Sequence, residues 1–441
     1  MEETRDKKVV IHHDEIRRRL KPSYTSNDVD SLAAFLDAHG TLDFSPLPTG
    51  LYPAANIDAA AAARSGYGNV WVRDNVYVAL ALQTAGRAGE ALAVVEALAA
   101  FFRKQRARLR AVVEKPEYRG SPARRPHVRF DGLTLRELPT RWAHAQNDAL
   151  GYFLWLYCLT AQKGGLVPDG ELLALFALYF EAIRYWEDED SGHWEERRKI
   201  EASSIGAVAA GLKALRGLLA GPASPPCRFK GHVVGPEAVD RLISRGEQAL
   251  ASILPAECAQ PDPRKNRRYD SALLFLVYPL DVVDDAMGQT IVDDVRMHLQ
   301  GDYGIRRYLG DSYWTADYKD KMPARKLTAD VSEHQEERDA LARPGEEAQW
   351  SIFDPLVSII FGRRFVRTGD PGDLERQVLY LNRSLGQLTG PDCPAGELRC
   401  PEAYYLEHGR YVPNDHVPLL WTQANLRMAL LAMRESAGRQ A

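Results

Sequence analysis

The sequence predicts an all-α fold, an α-toroid or a helical repeat array, on three observations. Apolar residues recur at three- and four-residue spacing in segments spread evenly along the chain, the pattern of helices with a buried stripe. Strand-like alternation is nearly absent. The segments number about a dozen and are of similar length, yet no signature recurs at a fixed period, which weighs against the common solenoids.

In chain order the helical pattern covers Ser31 to His39, Val70 to Ala85, Ala88 to Arg103, Trp142 to Ala161 and Glu171 to Trp186. It resumes over Ser203 to Leu219, Pro236 to Leu254, Ile291 to Leu299, Trp350 to Arg367, Asp373 to Gln387 and Pro418 to Glu435. Tyr269 to Tyr278 reads either as a strand or as a short buried helix. The run Ser203-Ser-Ile-Gly-Ala-Val-Ala-Ala-Gly211 has side chains small enough for close packing in an inner layer. Four connections are long and polar: Glu114 to Thr140, Trp186 to Glu201, Asp302 to Glu347 and Gly390 to Pro418. Such loops in a compact domain are often functional. One domain over residues 31–441, behind a charged segment over residues 1–30, accounts for the whole pattern.

With 441 residues, 45% of them hydrophobic, the chain can bury a large core. Its net charge of -4, with both signs interspersed, gives no reason to expect nucleic acid or an acidic membrane as a partner. No stretch reads as apolar enough to span a bilayer. The residues from Met1 to Leu20 are highly charged and lack the apolar core of a secretory signal. The five cysteines are scattered. Reduced thiols are expected, with a Cys393–Cys400 bridge as the alternative. The expected location is cytoplasmic.

The unusual residues gather in the long loops and at the helix starts beside them. In Tyr67-Gly-Asn-Val-Trp71-Val-Arg73-Asp74, the acid reads either as a first-turn residue favoured by the helix dipole or as a ligand for hydroxyls. Tyr67 and Trp71 are spaced to share a face and wall a sugar ring. Gln146-Asn147-Asp148 reads as an N-cap before an apolar run, with Arg141 and Trp142 just upstream at the end of a long loop. Trp194-Glu195-Glu196-Arg197 reads either as a solvated charge network or as a carboxylic acid held protonated by Trp194 and the neighbouring Glu196. Glu402, in Pro401-Glu402-Ala-Tyr404, would ordinarily be an exposed loop acid. Two carboxylates flanked by aromatics and arginines suit glycoside hydrolysis, in which one protonates the leaving oxygen and the other activates water or attacks carbon.

Taken together and in order, these strings resemble glycoside hydrolase family 15, the glucoamylase family, from about Tyr52 to the end of the chain. The chain is especially similar to the branch containing the N-terminal domain of the phosphorylase kinase alpha and beta regulatory subunits. The resemblance implies an (α/α)6 toroid of six inner and six outer helices, with a pocket at one end. It implies Glu195 as general acid and Glu402 as general base, and inversion through a water between base and sugar. It further implies that Tyr67, Trp71, Arg73 and Asp74 grip the non-reducing glucose, with Gln146 and Asp148 building the same pocket. Trp194 and Glu196 flank the acid. Arg307 of Arg307-Tyr308-Leu-Gly-Asp311-Ser-Tyr313 contacts hydroxyls with Asp311 beside it, and Trp421 lies on the last inner helix. The implied ligand is an α-linked glucose oligo- or polysaccharide, with no metal or organic cofactor. A non-catalytic glucan-binding or regulatory module is the alternative.

Overall fold

A computed structural model describes residues 9–139, 144–222, 224–329 and 334–440. Arg141 and Trp142 lie outside the described residues. Twelve helices build the body. They are α1 (Ser26–Ala38), α2 (Val72–Thr84), α3 (Ala88–Lys104), α4 (Asn147–Gln162), α5 (Gly170–Ile183), α6 (Ala202–Ala220), α7 (Pro236–Ile253), α8 (Leu274–Val277), α9 (Asp285–Asp294), α10 (Phe353–Thr368), α11 (Pro371–Gly386) and α12 (Leu420–Gln440). Other helices, among them Asp14–Arg19 and Arg106–Glu114, decorate the connections.

The even-numbered helices form a closed ring. Each of α2, α4, α6, α8, α10 and α12 touches the next, and α12 returns to α2. The odd-numbered helices pack outside them: α1 on α12, α3 on α2 and α4, α5 and α7 on α6, α9 on α8, and α11 on α10 and α12. This is an (α/α)6 toroid, and burial explains its sequence pattern. Residues 72–79 of α2 and Ala202–Leu212 of α6 are buried without a break, because an inner helix meets protein on every side. The outer helix α7 buries only Val239, Leu242, Ile243, Gly246, Leu250 and Ile253, a single stripe.

The α4–α6 contact is the tightest in the ring. A β-carbon on Gly151 would run into the backbone of Ala207 and Val208, and one on Gly211 would press on the Gly151 carbonyl. The small residues of α6 are what let the two helices meet. That helix differs from the sequence reading in one respect. It is long and apolar enough to cross a membrane by length and composition, with mean hydropathy 1.2, yet 78% of its apolar window is buried inside the toroid. Its apolar character therefore has an explanation in core packing. The Tyr269–Tyr278 segment is the short buried helix of the two readings.

Three small antiparallel sheets among the described residues were unseen in the sequence; the smallest pairs residues 228–229 with 232–233, and the other two have three strands each. One joins β1 (Val70–Trp71), β2 (Arg129–Asp131) and β3 (Arg136–Glu137). The other joins β4 (Gln349–Trp350), β5 (Ala403–Glu407) and β6 (Arg410–Pro413), with Trp350 opposite Ala403. Strands of two to five residues are too short to display a period. All five cysteines are free thiols.

Candidate active site

The inner helices all begin at one end of the ring, and the unusual residues gather there. Arg73 and Asp74 open α2, Asn147 and Asp148 open α4, and Trp421 is in the first turn of α12. Glu195 lies in the loop before α6, and Trp350 in the strand before α10. Parallel helix N-termini favour negative charge at that end. A cavity of about 140 Å³ opens there, lined by Tyr67, Trp71, Arg73, Asp74, Trp194, Glu195, Arg307, Glu402 and Trp421, among others. Both candidate catalytic carboxylates therefore face one cavity. Four further candidates do not line it. Gln146, Asp148, Glu196 and Asp311 are buried behind those that do.

Glu402 is buried, not the exposed loop acid its sequence context implied. Its backbone is clamped, since its N–H donates to the His416 carbonyl at 3.1 Å and its carbonyl accepts from Ser351 N–H at 2.9 Å. Its side chain accepts from three groups. Tyr67 hydroxyl reaches Oε1 at 2.7 Å, while Asn414 Nδ2 and His416 Nδ1 reach Oε2 at 2.5 and 2.6 Å. Burial pushes this carboxyl up, but His416, Tyr67 and Asn414 outweigh it and hold its pKa below the ordinary value. Asn414 and His416 escaped sequence reasoning because only the return of β6 beside β5 brings them here. Tyr67 stacks on His416 with ring centroids 3.5 Å apart, which fixes both donors.

Glu195 is held differently. Its backbone takes the left-handed conformation, at φ 57°. Trp71 Nε1 donates to Oε1 at 2.7 Å, and Gln146 Nε2 reaches the same oxygen at 3.4 Å. Both donors fall on Oε1, and His144 Nε2 lies 3.9 Å from Oε2. The loop depends on Gly192, which has φ 53° and whose β-carbon would collide with the Glu201 carboxylate.

The left-handed turn also sends Glu196 away from Glu195. Instead of crowding its neighbour, Glu196 accepts from Arg267 Nη2 at 2.9 Å and from the Tyr308 hydroxyl. Arg307, Lys199 and Arg338 lie 3.5, 3.8 and 3.9 Å away. Burial opposes the charge, but these four cations hold the Glu196 pKa well below the carboxylate range.

Asp148 and Asp311 each orient an arginine that lines the cavity. Asp148 pairs with Arg73 Nη1, while Arg73 Nη2 donates to the His193 carbonyl at 2.9 Å. Asp311 takes Arg307 in a fork, at 2.6 Å from Nε and 2.5 Å from Nη2. The Arg307 guanidinium lies 4.7 Å from the centroid of the Trp350 ring and 5.2 Å from that of Trp194. Tyr67 and Trp71 do wall the cavity, with centroids 5.5 Å apart, though Trp71 is in a strand and not on a helical face. The indole N–H groups of Trp350 and Trp421 are buried with no acceptor among the described residues. Both residues line the cavity, where a hydroxyl-bearing ligand would supply acceptors.

Asp74, which also lines the cavity, is strongly altered by this environment. Burial pushes its carboxyl up, Arg73 opposes this and Glu195 and Glu402 add to it, leaving its pKa at about 7. The ordinary value is 3.8, so the folded protein keeps a proton that the unfolded chain releases, and stability falls as pH rises from about 4 to 7. Asp74→Asn removes this cost. Its stabilisation of the ligand-free protein should be about 2–3 kcal/mol larger at pH 8 than at pH 5, measured by urea unfolding at both. An equal effect at the two pH values would contradict the raised pKa.

A closed ring of helix pairs, with two separately held carboxylates and paired arginines in a pocket at one end, is a glycosidase-type toroid. The family model for glycosyl hydrolases family 15 matches residues 40–319, and the chain belongs to that family. Among curated relatives, the probable phosphorylase b kinase regulatory subunit alpha of Drosophila melanogaster is 30% identical over 300 residues, covering 60% of this chain and 22% of that protein. The corresponding subunit of Caenorhabditis elegans is 30% identical over 394 residues, covering 81% of this chain and 30% of that one. The chain thus spans under a third of the length of these relatives, and it lies near their branch of the family. Among solved structures, a wild-type glycosidase superposes with a TM-score of 0.61 at 19% identity, covering 93% of this chain and 97% of that one. A bacterial glucoamylase complexed with acarbose superposes with a TM-score of 0.56 at 14% identity, covering 88% of this chain and 53% of that one. The likeness to both is one of fold.

Proposed function

We propose that the protein hydrolyses α-glucosidic bonds from the non-reducing end of gluco-oligosaccharides with inversion, using Glu195 as general acid and Glu402 as general base. The observation behind this reading is that the two carboxylates enter one cavity on separate sets of donors, with one carboxylate held ionised. Glu402 Oε2 is occupied by Asn414 and His416, so Oε1, which has only Tyr67, takes the proton of the attacking water. As the water oxygen bonds to the anomeric carbon, the bond to the leaving oxygen breaks and Glu195 Oε2 supplies the proton that oxygen needs. Asp74, Arg73 and the Trp350 and Trp421 N–H groups bind the hydroxyls of the terminal glucose. A cytoplasmic setting belongs to the same proposal, supported by the free thiols.

The test is incubation of purified protein with maltose, longer malto-oligosaccharides and trehalose, followed by proton NMR of the released sugar. β-Glucose as the first product of maltose and the longer oligosaccharides is the expected result, with trehalose giving α- and β-glucose in equal amounts. α-Glucose as the first product from the malto-oligosaccharides, or no glucose from any of these substrates with a folded protein, overturns the reading. A second reading, a non-catalytic glucan-binding regulatory module, is favoured by the relatives that are named as kinase regulatory subunits. Saturable oligosaccharide binding without turnover is the outcome that selects it.

A further inference from the structure

A second cavity, of about 310 Å³, adjoins the first and has a different character. Arg197, Lys199, Arg264, Arg267 and Arg268 line it, and among the described residues Asp339 is the one acid that does so. Three of these cations hold surface partners: Arg197 with Glu336 at 2.6 Å, Arg264 with Asp262 at 2.8 Å and Arg268 with Asp294 at 2.7 Å. Solvated pairs of this kind are weak and exchange readily. Arg197 Nη2 is buried and out of hydrogen-bond alignment with Glu336, so it has donor capacity unused. The other two cations lie deeper: Arg267 holds Glu196 and Asp270 at 2.9 Å each, and Lys199 lies 3.3 Å from Glu201 and 3.8 Å from Glu196.

Glu196 stands between the two cavities. Of the four cations around it, Lys199 and Arg267 line the second, while Arg307 and Arg338 line the first. We infer that the second cavity binds a small phosphate monoester and that its occupancy is felt in the sugar pocket through Glu196. Guanidinium forks match phosphate oxygens, and a dianion can displace the weak solvated acids that now pair with Arg197, Arg264 and Arg268. The apolar surfaces of Tyr269 and Leu309 beside them suit the organic part of the ligand. A dianion at Lys199 and Arg267 competes with Glu196 for two of its cations. Glu196 then draws harder on Arg307 and Arg338, shifting groups that meet the sugar, and by linkage sugar binding alters phosphate affinity equally.

Direct binding tests this without recourse to hydrolysis. Inorganic phosphate and glucose 6-phosphate are titrated calorimetrically into the full chain at ionic strength fixed with sodium chloride, and glucose alone is titrated to give the sugar pocket's own contribution. Saturable binding of both phosphates is expected, weakened about tenfold or more in the double variant Arg264→Ala/Arg268→Ala. These side chains are 73% and 41% exposed, so the fold tolerates their loss, and a circular dichroism melt checks it. No saturable binding, or equal affinity in the double variant, overturns the site. Glucose affinity should differ at least about twofold with and without saturating phosphate in the wild type, and not in Glu196→Gln. A wild-type glucose affinity indifferent to phosphate overturns the coupling.

Discussion

Glu402→Gln should lower kcat/KM on every α-glucoside the protein cleaves by about a thousandfold or more, while glucose affinity stays within about fivefold of wild type. The asymmetry follows from where the side chain sits. Its carboxylate is one wall of the cavity, but the groups placed to grip a sugar, Arg73, Asp74, Arg307 and the two free indoles, hang on other elements. What glutamine removes is the capacity of Oε1 to take a proton from water. The substitution also puts an NH2 where one donor (at Oε1) or two donors (at Oε2) now point, so at least one of Tyr67, Asn414 and His416 must turn away or change tautomer. A modest stability loss of about 1–3 kcal/mol is expected from that conflict. The depressed pKa of Glu402 adds a pH signature: the acid limb of wild-type kcat/KM should lie below 4.5, the ordinary value for the group. Steady-state kinetics with parallel calorimetry on both proteins checks all three. Turnover surviving within tenfold in a variant that still binds glucose would remove Glu402 from the mechanism.

The helices were legible because the ring leaves its mark on sequence. Inner helices such as α2 and α6 are buried all round and read as long apolar runs, while an outer helix such as α7 shows one stripe. The site was legible only through short strings in order, since the physics that makes each residue functional is tertiary. Glu402 looked like a solvent-facing loop acid because nothing nearby in sequence reveals the β5–β6 hairpin that buries it. His416 and Asn414, twelve to fourteen residues further on, gave no signal at all. Arg307 and Asp311 are the exception, four residues apart and paired as that spacing allows. Glu196 was misjudged for a backbone reason. Adjacent acids look mutually repulsive on paper, but the left-handed φ at Glu195 turns the second into a separate nest of cations.

That separation governs the other large expected effect. Glu195→Gln should reduce hydrolysis of maltose about a thousandfold or more, yet leave α-glucosyl fluoride cleaved at a rate within about a hundredfold of wild type. A sugar leaving group departs as a poor alkoxide unless protonated, so it needs the acid; fluoride leaves without a proton and needs only the base-activated water. Glutamine keeps the shape, and its amide oxygen can still accept from Trp71 Nε1 and Gln146 Nε2, so the loop has no cause to rearrange. Glu402 keeps all three of its donors, none of which is shared with Glu195. The same fluoride should therefore stay slow in Glu402→Gln, because attack by water is then the defective half. The crossed result is what assigns the roles. If both variants lose fluoride hydrolysis equally, or if Glu195→Gln loses maltose and fluoride alike, the division of labour between the two carboxylates fails even though both face one cavity.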